Sequence, residues 1–245
     1  MKCYGVIGFP LTHSFSKKYF TEKFLQEGIA DCSYESYPLK TIDELPGLLK
    51  ADPRLVGLNI TIPYKQSVFQ YLDDAKHIPE GLRACNCIKI TGKAISGYNT
   101  DIIGFERSLQ PLLTDQHAQA LILGNGGATE AVKFVLRKLG IGYHIVSRQL
   151  KEGSDLTYAD INETIVADHK LIINTTPLGT FPDINECAPI PYGFIGPHHL
   201  LYDLVYNPGK TLFLQKGETQ GAAIKNGYEM LITQAEESWK IWNED

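Results

Sequence analysis

Apolar positions along the chain fall into short runs separated by amphipathic stretches. In the first hundred residues four runs have the length and β-branched or aromatic content of strands: CYGVIGF (3–9), YESYPL (34–39), LVGLNITI (55–62) and NCIKI (86–90). Between the first two, Tyr19, Phe20, Phe24 and Leu25 give 16–28 a helical pattern. KITGKAISGYN reads as a β-hairpin turning at Thr91, Gly92 and Lys93. After the polar stretch TDQH (114–117) a second series begins: QALILG (119–124), a helix over 127–139, YHIVSR (143–148), KLIINTT (170–176) and LLYDLVY (200–206). Residues 177–198, rich in Pro, Gly and Asp, read as loops. YEMLITQAEESWKIW then closes the chain as an amphipathic helix, with Met230, Leu231, Ala235, Trp239 and Trp242 largely on one side. This alternation predicts βαβ units and mostly parallel sheet, in two α/β halves that meet near 100–118. A chain of 245 residues is long enough for each half to bury its own core.

Composition narrows the function classes. A net charge of −5 without any basic run argues against sequence-independent nucleic-acid binding, and an anionic ligand would have to be met by a few placed groups. The five cysteines form no CxxC pair and are odd in number, which points to reduced thiols and a cytoplasmic protein. The apolar start before Pro10 is too short for a signal peptide, and no run approaches the roughly 18 apolar residues of a membrane span.

ALILGNGGATEAVKFVLRKLG carries the most interpretable motif. A strand ends at Gly124, the turn is Gly124, Asn125, Gly126 and Gly127, and a helix follows at once. Glycines let backbone approach a pyrophosphate, and a helix N-terminus supplies N–H groups and positive dipole. The third fingerprint position is Thr129 instead of glycine, so the alternative is a plain tight βα turn. At the end of the next strand an NAD site would usually place a carboxylate. Here stand Ser147, Arg148 and Lys151, and a guanidinium suits the 2′-phosphate of NADP. A solvated surface arginine is the competing interpretation.

Reduction of a ketone by hydride needs a proton donor at its oxygen. Zinc is not supported by ligand spacing: His198 and His199 are adjacent, and Cys85 and Cys87 have no nearby His. Tyr19 and Lys23 form a Tyr-x-x-x-Lys pair, but far upstream of the glycine loop, as an ordinary helix face. PGKT (208–211) lacks the upstream glycine of a phosphate loop. A lysine–carboxylate pair remains: Lys65 at the end of a strand, and Asp101, just after Asn99 at the junction of the halves. From spacing alone, two solvated surface charges explain these residues as well.

Read in order, GFPLTHSFS (8–16), NITIPYK (59–65), ACNC (84–87), NTD (99–101), GNGGAT (124–129), NTTPLG (174–179), YDLVYNPGKTLFL (202–214) and MLITQA (230–235) resemble the successive motifs of the shikimate dehydrogenase family. The resemblance spans nearly the whole chain, and its specific parts are HSFS, NITIPYK and NTD. It implies a two-domain α/β fold: an N-terminal substrate domain (1–102 plus 226–245), a Rossmann-like NADP-binding domain (103–225), and a C-terminal helix returning to the first. It implies NADPH-dependent reversible reduction of 3-dehydroshikimate to shikimate, a step of aromatic amino acid synthesis, by a monomer or homodimer whose partner is this small molecule.

The family's residues carry over position by position. Ser14 and Ser16 fall on the serines that bind the substrate carboxylate, Lys65 on the acid/base group and Asp101 on its partner. Asn59, Thr61, Asn86, Tyr206 and Gln234 fall on other substrate-contacting positions. Cofactor positions are Gly124, Asn125, Gly126, Gly127, Ala128, Thr129, Ser147, Arg148, Thr175, Leu204 and Gly227, the last where the backbone approaches the nicotinamide. The chain departs from the common motifs at the opening SKSP (here Ser14-Phe15-Ser16-Lys17), at Cys87, at Ile102 and at the NRT clamp (here Ser147-Arg148-Gln149). A quinate/shikimate paralogue with relaxed or NAD cofactor use is therefore the alternative within the family.

Overall fold

A computed structural model describes residues 1–11, 15–150 and 152–244. The chain divides into two compact units, Met1–Thr100 with Gln234–Asp245, and Asp101–Thr233.

The first unit contains β1 (Lys2–Gly8), α1 (Phe15–Gln26), β2 (Cys32–Pro38), α2 (Leu45–Ala51), β3 (Leu55–Ile60), β4 (Cys87–Thr91) and β5 (Ala94–Tyr98). They form one five-stranded sheet in the order β2-β1-β3-β4-β5. β1 is an interior strand, buried along all but its first residue, as the largely apolar run KCYGVIG requires, and it pairs in parallel with β2 and β3. β4 and β5 join antiparallel, as the hairpin expected from the sequence, so this sheet is mixed. The reason is local. Gly92 takes a positive φ of 64° between paired Thr91 and Ala94, and a two-residue turn can join only antiparallel strands.

Aromatic packing fills the space between this sheet and its helices. Phe20 stacks on Tyr34 with ring centroids 4.6 Å apart, and Trp242 stacks on Tyr4 at 5.0 Å. The indole N–H of Trp242 donates to the Ile88 carbonyl at 2.9 Å. Its ring lies so close to β3 that a Cβ on Gly57 would sit 2.4 Å from it.

The second unit begins with α3 (Asp101–Leu109) and continues through β6 (Gln119–Leu123), α4 (Gly127–Lys138), β7 (Gly142–Ser147), β8 (Leu156–Thr157), α5 (Glu163–Asp168), β9 (Leu171–Asn174), β10 (Leu200–Asp203), α6 (Leu212–Thr219) and β11 (Ala223–Lys225). All six strands are parallel, in the order β11-β10-β9-β6-β7-β8. Numbered within the unit this is 6-5-4-1-2-3, a doubly wound sheet. Alternation along β6 feeds two cores. Ala120 and Ile122 pack with Phe105, Val132 and Leu136, whereas Leu121 and Leu123 pack with Val166, Phe213 and Leu214. Two buried faces explain why these strands read as continuous apolar runs.

The closing helix α7 (Tyr228–Asn243) starts in the second unit and ends in the first. Met230 belongs to the second unit's core; Ala235 and Trp242 belong to the first unit's. No helix among the described residues is long and apolar enough to cross a membrane.

Gly57→Ala is expected to lower Tm, with a loss on the order of 1–3 kcal/mol from forcing a methyl against the Trp242 ring. A melt followed by tryptophan emission measures it directly.

Candidate active site

In the first unit the chain leaves β1 toward β2 on one side and β3 on the other, so the carboxyl ends of β1 and β3 open at a topological switch. Gly8 ends β1 directly beneath Thr61, whose Cγ2 would lie 2.4 Å from a Cβ there. β4 runs antiparallel, so Asn86, just before it, reaches the same end of the sheet. Asn99 and Thr100, just after β5, reach it too. The Ile60 amide donates to the Asn86 carbonyl at 2.8 Å, and the Asn99 side-chain Nδ2 donates to Ala84 O at 2.6 Å.

Lys65 lies in neither strand nor helix. β3 stops at Ile60, and a turn runs to a 3₁₀ helix at Ser67–Tyr71. The Lys65 carbonyl accepts from the Cys85 amide at 2.8 Å, which ties this turn to the 84–87 segment. The residue is half-buried, so the cost of burying an ammonium fully is avoided.

A chain of buried hydrogen bonds links the polar residues of this unit. Tyr34 donates to Asn59 Oδ1 at 2.7 Å, and Asn59 Nδ2 donates to Ser238 Oγ at 2.9 Å. Ser238 donates to Gln234 O at 2.9 Å and lies 3.3 Å from Thr100 Oγ1. Asn86 clasps Thr100 at both ends, donating to its hydroxyl at 2.9 Å and accepting its amide at 2.6 Å. Ser16, in the first turn of α1, hydrogen-bonds the Tyr34 phenol, whose pKa burial pushes well up. Tyr34, Thr100 and Ser238 are not among the residues that the sequence motifs point to. The one available signal is Ser238, a serine inside the apolar stripe of the closing helix. Ser14 lies outside the described residues.

In the second unit the sheet order reverses between β6 and β9, and the glycine loop sits there. Gly124 has φ 112°, and a Cβ would crowd Thr175 and Thr176 at 2.8 Å. Gly126, at the N-cap of α4, and Gly127 have open space where side chains would be. Thr129 is fully buried, and its hydroxyl accepts the Gly126 amide at 3.1 Å and meets Thr175 Oγ1 at 2.9 Å. Thr175 in turn donates to Leu123 O at 3.0 Å. Threonine at the third fingerprint position thus braces the loop from beneath. Ala128 follows in the first turn of α4, and Asn125 donates to Glu152 O at 3.3 Å. Ser147 turns its hydroxyl to the Gln149 carbonyl, and Arg148 is exposed, with Tyr158 within electrostatic reach. Bare glycines before a helix N-terminus, with a guanidinium past the next strand, fit a phosphorylated dinucleotide.

A second buried cluster shapes the loop after β10. The Asp203 carboxylate accepts from Asn174 Nδ2 at 2.9 Å, the Val205 amide at 3.0 Å and the Thr211 hydroxyl at 2.5 Å. It thereby fixes the segment carrying Leu204 and Tyr206. Gly227 approaches the same segment: its amide donates to Val205 O at 3.1 Å, and a Cβ would lie 2.1 Å from Leu204 O. No residue but glycine fits there. The upstream Tyr-x-x-x-Lys pair proves to be an anchor for α7, since Tyr19 and Lys23 both donate to Glu236. In PGKT, Thr211 caps α6 and Lys210 pairs with Glu218.

A doubly wound sheet with this glycine loop, in one chain with a mixed sheet carrying amides and a lysine at its strand ends, defines the class of two-domain α/β nucleotide-linked oxidoreductases. Residues 6–88 match the shikimate dehydrogenase substrate binding domain. The chain is 33% identical to the NADP(+) shikimate dehydrogenase of Caldicellulosiruptor saccharolyticus, over 99% of this chain and 92% of that one. It is 35% identical to that of Clostridium beijerinckii, over 100% and 93%. The Thermus thermophilus enzyme, solved in complex with NADP(H) and shikimate, superimposes with a TM-score of 0.85 at 27% identity, covering 99% of this chain and 94% of that one. The chain belongs to the shikimate dehydrogenase family.

Burial raises the Asp203 pKa from 3.8 to about 6 despite its three donors. A raised carboxyl pKa means that the folded state holds the proton more tightly. Its contribution therefore lowers stability as pH rises from about 4 to about 6, by at most about 3 kcal/mol. Asp203→Asn keeps the shape and removes that ionisation, so its Tm is expected to vary less with pH across this window than the parent's.

Proposed function

We propose that the protein catalyses the reversible NADPH-linked reduction of 3-dehydroshikimate to shikimate. The observation that carries this reading is the company Lys65 keeps. Its turn is tied to the 84–87 segment, beside the buried network of Asn59, Asn86, Thr100 and Ser238 at the strand ends. This is the kind of surface a small ligand bearing several hydroxyls requires, because each buried hydroxyl needs a partner.

In this reading Lys65 gives a proton to the carbonyl oxygen as the alcohol forms and recovers it in the reverse direction. Asp101 is its carboxylate partner; it stands in the first turn of α3, where a helix favours negative charge. Ser14 and Ser16 take the substrate carboxylate. Asn59, Thr61, Asn86, Tyr206 and Gln234 take its hydroxyls. Gly124, Asn125, Gly126, Gly127, Ala128 and Thr129 hold the pyrophosphate, Ser147 and Arg148 the 2′-phosphate, and Thr175, Leu204 and Gly227 the nicotinamide end. When bound, NADPH supplies the hydride. The thiol-only cysteines suit the cytoplasm. One observation favours the paralogue alternative: Ser147 spends its hydroxyl on the Gln149 carbonyl, which leaves Arg148 as the main 2′-phosphate group.

The test is an initial-rate assay of shikimate and quinate, each with NADP and NAD. Shikimate with NADP is expected to be fastest. A faster quinate or NAD rate would select the paralogue, and cofactor binding without turnover would sink the activity altogether. Lys65→Ala is expected to lower kcat on the order of 10²–10⁴-fold while NADPH binding, read by cofactor fluorescence, persists. A mutant with parental kcat refutes the lysine's role.

A further inference from the structure

Asn59 is buried, and its carboxamide is oriented by its neighbours. Ser16 hydrogen-bonds the Tyr34 phenol, which stays protonated because burial pushes its pKa well up. The phenol's proton goes to Asn59 Oδ1 at 2.7 Å, so the amide nitrogen must face the other way. There one N–H meets Ser238 Oγ at 2.9 Å, and that hydroxyl spends its own proton on Gln234 O. Among the described residues the second N–H meets the Asn86 carbonyl, at 3.5 Å, the outer limit of a hydrogen bond.

We propose that Tyr34 and Ser238 are positioning residues that lock the Asn59 carboxamide with one N–H presented to a substrate hydroxyl. The two act from opposite ends on one amide. Without either, the amide can rotate or relax, and the donor is misplaced while Lys65 and the cofactor loop are untouched. Ser238 also lies 3.3 Å from Thr100, which Asn86 clasps, so it couples both asparagines. The closing helix then has a purpose beyond packing: it delivers Ser238 and Gln234 into one unit with Asn59. This inference rests on the proposed shikimate activity.

Tyr34→Phe and Ser238→Ala test it with minimal loss of volume, since Phe at 34 can keep the stack on Phe20. Each is expected to raise KM for shikimate on the order of tenfold, with kcat changed less than about threefold and KM for NADP unchanged. The double variant is expected to resemble the worse single one, because both act through Asn59. Phe24→Leu, in the same aromatic core, is the control for stability alone: it should lower Tm and leave KM for shikimate as it was. If Phe24→Leu shifts that KM equally, or if both KM values move together in Tyr34→Phe, the residues are merely structural and the proposal falls. An unchanged shikimate KM in Tyr34→Phe also overturns it, and that variant decides the matter if Ser238→Ala does not fold. A wild type that turns over neither shikimate nor quinate overturns the activity itself, a result distinct from these.

Discussion

A carboxamide buried at the end of a strand must have its donors and acceptor met, and that requirement organises the first unit. Asn59 and Asn86 stand at adjoining strand ends where neither backbone ladder can serve their side chains. Each unmet group would cost roughly 1–3 kcal/mol. Their partners come from far along the chain: Tyr34 on β2, Thr100 after β5 and Ser238 on α7. The antiparallel β4–β5 hairpin and the returning helix are both needed to bring those partners in. Among the described residues, no buried side-chain nitrogen or oxygen lacks a partner. Hydrogen bonds of this kind fix the side chains in place, which would reduce what binding of the proposed substrate must spend on ordering them.

The second unit meets the same difficulty with different residues. Its glycine loop leaves backbone bare at Gly126 and Gly127, so bracing has to come from below. Thr129 and Thr175 supply it with hydroxyls that reach backbone groups of the loop and of β6. After β10 the chain is gathered by Asp203, a buried carboxylate with three donors, two side chains and the Val205 amide. A carboxylate is the only side chain that accepts so many bonds in so small a volume, and its raised pKa is the consequence of that placement.

Much of this architecture is visible in the sequence because its signals are local. β6, α4 and β7 show themselves through an unbroken apolar run, a glycine turn and an amphipathic period, and the hairpin shows itself through Gly92. Short elements with weak patterns, such as β8, α5 and β11, are not legible, since two to six residues carry too little periodicity to separate from loop. Mixed pairing in the first sheet could have been inferred from the hairpin itself. The network around Asn59 is the least legible part. Tyr34 reads as one more aromatic in a strand, and Thr100 as a polar residue beside Asp101. Their meaning is a relation between positions, and no single position carries it.

Lys65 illustrates the same point. As part of a strand it looks misplaced, because an ammonium on a buried ladder would be costly. The structure removes the conflict by ending β3 at Ile60 and setting the lysine in a turn whose carbonyl accepts from the Cys85 amide. The residue is half-buried there, between a ladder position and an open surface. The proton-carrying role proposed for Lys65 calls for such a placement, since a fully buried lysine would surrender its charge and a fully exposed one its position.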